Sequence, residues 1–539
     1  MRTSALFILL FLLACKSVFS QRNVDSVSEG KIITIKSADK YIYQDKDSLG
    51  KFVSLVGHAF VEQGHTKFYG DSIVLNQKEN FLEAFGNIHI NDADSVHTYS
   101  QYLKYLGKEK KAYLNKNVIL KDGKGVITTN DLEYDTQFKI GKYFNGGKLI
   151  NGKTVLTSLE GYYYGGTKDV YFKKGVVLKN PEYIIYTDTL LYNIDSDRTT
   201  FVCPTTIYNG KRIIKTQDGV YELKRKKGNF SKRPFIDDST YTFTSDQMAF
   251  DDSTGLGEFQ GNAVYRSKDS VGGYDIIANN IKTNKKTNAF LATEKPILFI
   301  KQPGDTIYIS ADTLYSAKVS DLKKIKYVPS IRDSSTKISD SIATATIDST
   351  HDRFFEAYYH VKIYSDSLQA LGDSLFYSLA DSTFRLFKDP VAWAKENQIT
   401  GDTIYLFLQN KKPERMNVFE NALVISKEGG DYFNQVKGNV LNAYFKDGKI
   451  YYMHTKGSPA ENIYYALDDN KKFVGVNKSS SDVIEAYFED GKPQRIKFIN
   501  NLEGTMYPMK QVNHKDIRVR KFKWLDDKRP KSKLDIFLN

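Results

Sequence analysis

Eight histidines and a recurring Asp-Ser or Asp-Thr pair are the residues best equipped for chemistry in this chain, and their spacing argues against it. The histidines stand at His58, His65, His89, His97, His351, His360, His454 and His514. A zinc site has ligands at short, fixed spacings, as in HExxH or paired CxxC, and neither pattern occurs. The acids recur as Asp71-Ser72, Asp188-Thr189, Asp312-Thr313, Asp373-Ser374 and Asp402-Thr403. A catalytic carboxylate occurs once or in one pair, whereas an acid that returns with each repeat can satisfy free backbone donors at every strand entrance. We therefore expect no catalytic residue, no metal site and no cofactor. NDAD at 91–94 lacks the glycine-rich nonapeptide of calcium β-rolls, and GLGEFQG at 255–261 misses the dinucleotide spacing.

The elements carrying those acids repeat about every thirty residues. They read GDSIVL at 70–75, SQYLKYL at 100–106, TNDLEYD at 129–135, TDTLLYN at 187–193, SDQMAFD at 245–251, ADTLYS at 311–316, GDSLFYS at 372–378 and GDTIYLF at 401–407. Ile73 and Leu75 point one way, Ser72 and Val74 the other, which is the period of a half-buried strand. Polar turns follow, such as NQKEN at 76–80, GKEKK at 107–111 and KKTN at 285–288, and then a return strand such as AFGNIHI at 84–90 or FQGNAVY at 259–265. Each copy closes a hairpin, and a fixed period in this range marks stacked repeats. The expected fold is all-β, an elongated antiparallel β-jelly-roll or β-taco solenoid.

The array starts twice. Residues 58–76 align without a gap on 360–378, matching His58 with His360, Gly70 with Gly372 and Asp71 with Asp373. Between the starts, 319–350 turns rich in Ser, Thr and Asp in its second half, a composition that cannot bury enough surface to order itself. The organisation read from this is a signal peptide at 1–20, a first array at 31–318, a polar linker or loop at 319–350, a second array at 351–509 and a basic tail at 510–539, expected to be a solvated terminus.

MRTSALFILLFLLACKSVFS has the charged start, short apolar run and small-residue end of a secretory signal peptide. Cleavage after Ser20 is one reading, and LLAC at 12–15, a lipobox-like text that would lipidate Cys15, is the other. Either exports the chain to the periplasm, with an association to the outer membrane. Cleavage after Ser20 leaves Cys203 as the one thiol, so no internal disulfide forms. The net charge of +13 falls to about +11 without Arg2 and Lys16. For an exported chain this excludes nucleic acid and points to anionic lipid, acidic polysaccharide or an anionic membrane face, or else to no more than a solvated lysine-rich surface.

What remains is one apolar row in register: Ile73, Leu75, Leu103, Tyr105, Leu132, Tyr134, Leu190, Tyr192, Met248, Phe250, Leu314, Leu375, Tyr377, Ile404 and Leu406. Between closed sheets these residues are ordinary core, and between splayed sheets they line a greasy groove.

The strand, turn and return of GDSIVLNQKENFLEAFGNIHI at 70–90 resemble the OstA/LptA repeat. That repeat belongs to the periplasmic lipopolysaccharide-transport protein and to the periplasmic domain of the outer-membrane translocon LptD. The likeness runs over about residues 31–318 and returns at 351–509. It implies an open β-jelly roll holding acyl chains inside, a passive conduit for lipopolysaccharide or a related anionic glycolipid. It also implies no catalytic residues. Implied partners are other jelly-roll transport components, joined by edge-strand pairing, and the outer-membrane translocon. The chain is much longer than a single-domain shuttle and lacks the ten-residue aromatic-girdled spans of a membrane barrel. Two competing readings are a closed β-solenoid serving as spacer or surface interaction protein, and a polysaccharide-degrading enzyme built on scattered acids.

Overall fold

Alternating Val, Ile, Phe and Tyr punctuated by Gly, Asn, Asp and Lys make strand the cheapest local structure nearly everywhere. The computed structural model describes residues 32–46, 50–76, 78–269, 273–302, 305–325, 352–409, 412–489 and 492–538, and over these the chain is an antiparallel all-β protein. Residues 1–20 with Cys15, and 326–350 of the polar interval, lie outside the described residues. The described part of that interval opens with a short helix, Val319–Ile325. Two compact units are present, one comprising residues up to Gly175 with Asn193–Asp195, the other Val176–Tyr192 with Ser196 onward.

In the first unit the strands Gly50–Gln63, Thr66–Asn76, Phe81–Asp92, Val96–Leu106, Lys111–Asp122 and Gly125–Asp135 pair in sequence order. They are longer than the sequence motif, because GDSIVL is only the second half of Thr66–Asn76. The ladder breaks register in mid-strand, between Val56 and Ala59, Phe85 and Ile88, and Asn115 and Val118. At each break two successive residues take positive φ: Gly57-His58, Gly86-Asn87 and Lys116-Asn117. Such a bulge bends the strand, and a row of bends folds the sheet double. The proof is at the strand ends. Tyr105 and Gln63 sit at opposite ends of their strands, on the order of 35 Å apart in a flat sheet, yet the Tyr105 hydroxyl donates to Gln63 Oε1 at 2.5 Å. Tyr134 reaches Asp92 Oδ2 in the same way at 2.8 Å.

Most of the recurring acids belong to such corners, in both units. Asp71 Oδ2 accepts from Asn87 Nδ2 at 2.9 Å, Asp246 Oδ2 from Asn262 Nδ2 at 2.8 Å, and Asp482 Oδ2 from Asn501 Nδ2 at 3.0 Å. His58 lies 2.8 Å from Asp39, and His360 2.9 Å from Asp312. The expected structural role thus stands with a different partner: the carboxylate receives mainly the corner side chain of a neighbouring strand, from mid-strand at Asp71 and Asp482 and from the expected strand entrance at Asp246, Asp312 and Asp402. The two histidines matched by sequence are equivalent corners.

In the second unit the ladder continues over the polar interval, since Thr313–Ala317 pairs with Phe354–Tyr364 from Thr313↔Tyr358 to Ala317↔Phe354. The basic C-terminus departs from the solvated tail expected of it. Ile517, Val519 and Ile536 are buried, and the rings of Phe522 and Trp524 lie 5.2 and 5.3 Å from that of Phe433. Most of its lysines are exposed while every second residue from Asp516 to Val519 is apolar, so a strap is written in the alternation that the charge density conceals.

Candidate functional site

Fourteen of the fifteen residues in the apolar row are buried, and Phe250 is half-buried. The row therefore faces inward in both units, and its members are not equally free. In the first unit Ile73, Leu75, Leu103, Tyr105, Leu132 and Tyr134 are each at most 3% exposed. The rim above them is tied shut at the repeat's own period, by Tyr105 to Gln63, Tyr134 to Asp92 and Tyr163 to Asp122. Lys168 adds an ion pair to the nearly buried Asp122. Burial pushes the Tyr105 phenol up to about 12. Tyr134 is driven higher still, by burial first and then by the charge of Asp92, so both hydroxyls stay protonated and donate.

The second unit opens. Between its layers lies a cavity of about 830 Å³, within the size range of small-molecule sites. Of the apolar row, Phe250 and Tyr377 reach it. The rest of its wall lies outside that row: Tyr241, Tyr265 and Tyr274 stack in series with ring centroids 5.3 and 5.5 Å apart, and Phe243 lies on Phe259 at 3.7 Å. A second pocket, of only about 30 Å³, touches Ile404 and Leu406.

Charged groups stand in this aromatic wall. Arg212 Nη1 donates to Asp252 Oδ1 at 3.0 Å and Nη2 to the other oxygen, a bidentate pair. Burial alone would lower the guanidinium, but the hydrogen bonds and charge of Asp252 outweigh it and raise its pKa. Lys301 Nζ is 2.7 Å from Asp275 Oδ1. Arg353, 8% exposed, donates to Ser316 Oγ at 2.9 Å and to Asn288 O at 3.0 Å, beneath the rings of Tyr274 and Phe290. None of these is legible from the repeat motif, because the cavity is walled by return strands and by the short strands between 212 and 290. The available signal is the density of Tyr and Phe there.

Residues 30–188 match the family described as OstA-like protein. Over that stretch the chain is similar to that family. No curated protein matches the chain. Among solved structures it is similar to LptH, the LptA homologous periplasmic component of the lipopolysaccharide transport device of Pseudomonas aeruginosa. The two are 21% identical over 21% of this chain and 83% of that one, with a TM-score of 0.19. The OstA-like stretch holds the tied rim and six residues of the apolar row through Tyr134, while the cavity lies beyond it in sequence.

His89 Nε2 and His97 Nδ1 are 3.0 Å apart, and burial followed by the neighbouring ring lowers the His89 pKa. Among the described residues no group of three His, Cys, Asp or Glu could hold a metal ion. NDAD closes on itself, with Asn91 Nδ2 donating to Asp94 Oδ1 at 2.7 Å and Asp94 N to Asn91 Oδ1 at 2.9 Å.

Proposed function

We propose that this chain is a periplasmic lipid-handling component of outer-membrane assembly, binding lipopolysaccharide or a related anionic glycolipid and passing it on without catalysis. The observation that carries the reading is the inward apolar row of each unit, together with a cavity of about 830 Å³ walled by aromatic rings in the second unit. The OstA-like match over 30–188 leads in the same direction. Acyl chains lie along Leu75, Tyr192 and Phe250 while sugars and phosphates stay outside. The continuous pairing of Thr313–Ala317 with Phe354–Tyr364 supports treating the end of the first array and the start of the second as one lipid-facing wall. The edge strands Thr34–Ser37 and Glu503–Pro508, both largely exposed, would pair with other jelly-roll components or the outer-membrane translocon.

Photo-crosslinking amino acids placed at Leu75, Tyr192 and Phe250 in cells test this. Capture of lipopolysaccharide there, and not at outward-facing Val74, is expected; capture only at Val74 would sink the reading. One observation favours a second reading, a closed β-solenoid spacer: the hydrogen-bonded rim of the first unit. Lipid captured at none of the three inward positions would establish that alternative.

A further inference from the structure

The cavity in the second unit contains a buried cation whose hydrogen-bond partners carry no charge. Arg212 is matched by Asp252, Lys301 by Asp275, and another buried arginine of this unit, Arg385, by Asp381. Arg353 differs from all three. It is 8% exposed and lines the cavity, and its guanidinium donates to a hydroxyl and a backbone carbonyl, Ser316 Oγ and Asn288 O. Among the described residues no carboxylate lies within ion-pair distance of it. The faces of Tyr274 and Phe290, with centroids 5.3 and 6.0 Å from the guanidinium carbon, supply cation–π attraction but not a counter-charge.

A buried guanidinium without an anion is costly, because removing a full charge from water is repaid only by a well-placed partner. Holding the Asn288 turn would need no charge, since a neutral donor serves as well. The rest of the wall specifies what should accompany an anion that pairs with Arg353: Phe243, Phe259 and Tyr265 offer apolar faces suited to a hydrocarbon chain. Arginine's planar fork fits carboxylate and phosphate alike.

We infer that the cavity is a binding site for an anionic acyl amphiphile, whose tail lies on the aromatic wall and whose single carboxylate or phosphate pairs with Arg353 inside the protein. This rests on the lipid reading above only in requiring that the cavity take an acyl chain. It adds an acid-recognising group within the wall, so the cavity selects for charge as well as for grease.

The test uses the full chain and three probes of matched chain length, palmitate, 1-hexadecanol and palmitoyl lysophosphatidate, below micelle-forming concentrations, with affinities from displacement of a fluorescent fatty-acid analogue. A charge-assisted pair predicts that at least one acid binds about ten- to a hundred-fold tighter than the alcohol, and which acid is tighter separates carboxylate from phosphate recognition. Arg353→Gln should erase that preference while hexadecanol binding stays unchanged, and Arg353→Lys should retain part of it. Equal binding of acids and alcohol to the parent protein overturns this inference and leaves the lipid reading intact, with no variant needed. Failure of all three probes to bind overturns the inference and also removes the cavity as support for the lipid reading.

Discussion

Asp39 stands 2.8 Å from His58 Nδ1 at an exposed corner, and the hydrogen bond, reinforced by the carboxylate's charge, raises the histidine pKa above its ordinary 6.5. The folded state then holds this proton more tightly than the unfolded chain. The corner's contribution to stability is fully present below pH 6.5 and is lost as pH rises through the folded-state value. An NMR titration should find the His58 midpoint above 6.5 in the parent and close to 6.5 in Asp39→Asn; the same midpoint in both would remove the pair as the cause. The rim tyrosines behave differently because they are dry. Tyr134→Phe leaves the buried Asp92 without one of its donors, while Thr66 Oγ1 still reaches the other oxygen at 3.1 Å. A loss of about 1–3 kcal/mol in denaturant unfolding is expected. Tyr102→Phe, whose hydroxyl makes a longer, 3.3 Å bond to Glu83 in a partly solvated place, should change stability by less than about 0.5 kcal/mol.

Each strand has to turn a corner, and the corner has its own stereochemistry. Gly86 takes φ 70° and an added Cβ would fall onto the Asp71 carboxylate, so Gly86→Ala combines left-handed strain with loss of the acid's place. The expected cost is about 1–3 kcal/mol. Gly70→Ala, where the nearest atoms to a new Cβ are at 3.6 Å and the backbone is ordinary, should be nearly silent in the same unfolding measurement, and equal effects at the two sites would deny the corner its role. These corners are also where the sequence is most and least legible. The Gly-Asn of AFGNIHI and FQGNAVY and the Lys-Asn of LNKNVIL stand out as a recurring step, and period-2 alternation places the strands on either side. Yet a bend in one long strand and a join between two short ones leave the same text, so GDSIVL and its kin look like whole strands. The apolar row is recoverable because inward facing depends only on parity. The cavity is not, since it depends on how far two layers stand apart, which local alternation does not encode. Arg353 precedes a strand in HDRFFEAYYH and has nothing in its neighbours to mark it as buried.

At the scale of the molecule, the C-terminal strap covers an apolar patch on the outer face of the second unit's sheet: Gln369, Trp393, Gln398, Ile425 and Gln435 are cross-strand neighbours on one face, opposite Ala370 and Ala392, which line the small pocket with Ile404 and Leu406. The strap's backbone is received by buried glutamines on alternate strands of the sheet: Val519 N donates to Gln435 Oε1 at 3.0 Å, while Gln398 takes Leu525 N on its oxygen and gives its amide to Lys523 O, both at 2.7 Å. Arg529 closes on Gln369 Oε1 at 2.9 and 2.7 Å, and the Phe537 ring lies 6.0 Å from that of Phe299. The strap thus covers the outer side of these strands, where Phe433, Ile425 and Tyr465 would otherwise meet solvent. Burial of Ile517, Val519 and Ile536 alone contributes on the order of 5 kcal/mol, at about 1.5–3 kcal/mol for each large side chain. A chain ending at Tyr507 should therefore melt earlier in its second unit and bind a hydrophobic dye that the full chain excludes. Because the strap lies on the face opposite the apolar row, hexadecanol uptake by the cavity should be the same in the shortened chain. Unchanged melting and dye binding would mean that the strap contributes little to the fold it crosses, and a changed hexadecanol affinity would mean that the strap acts on the cavity through the sheet between them.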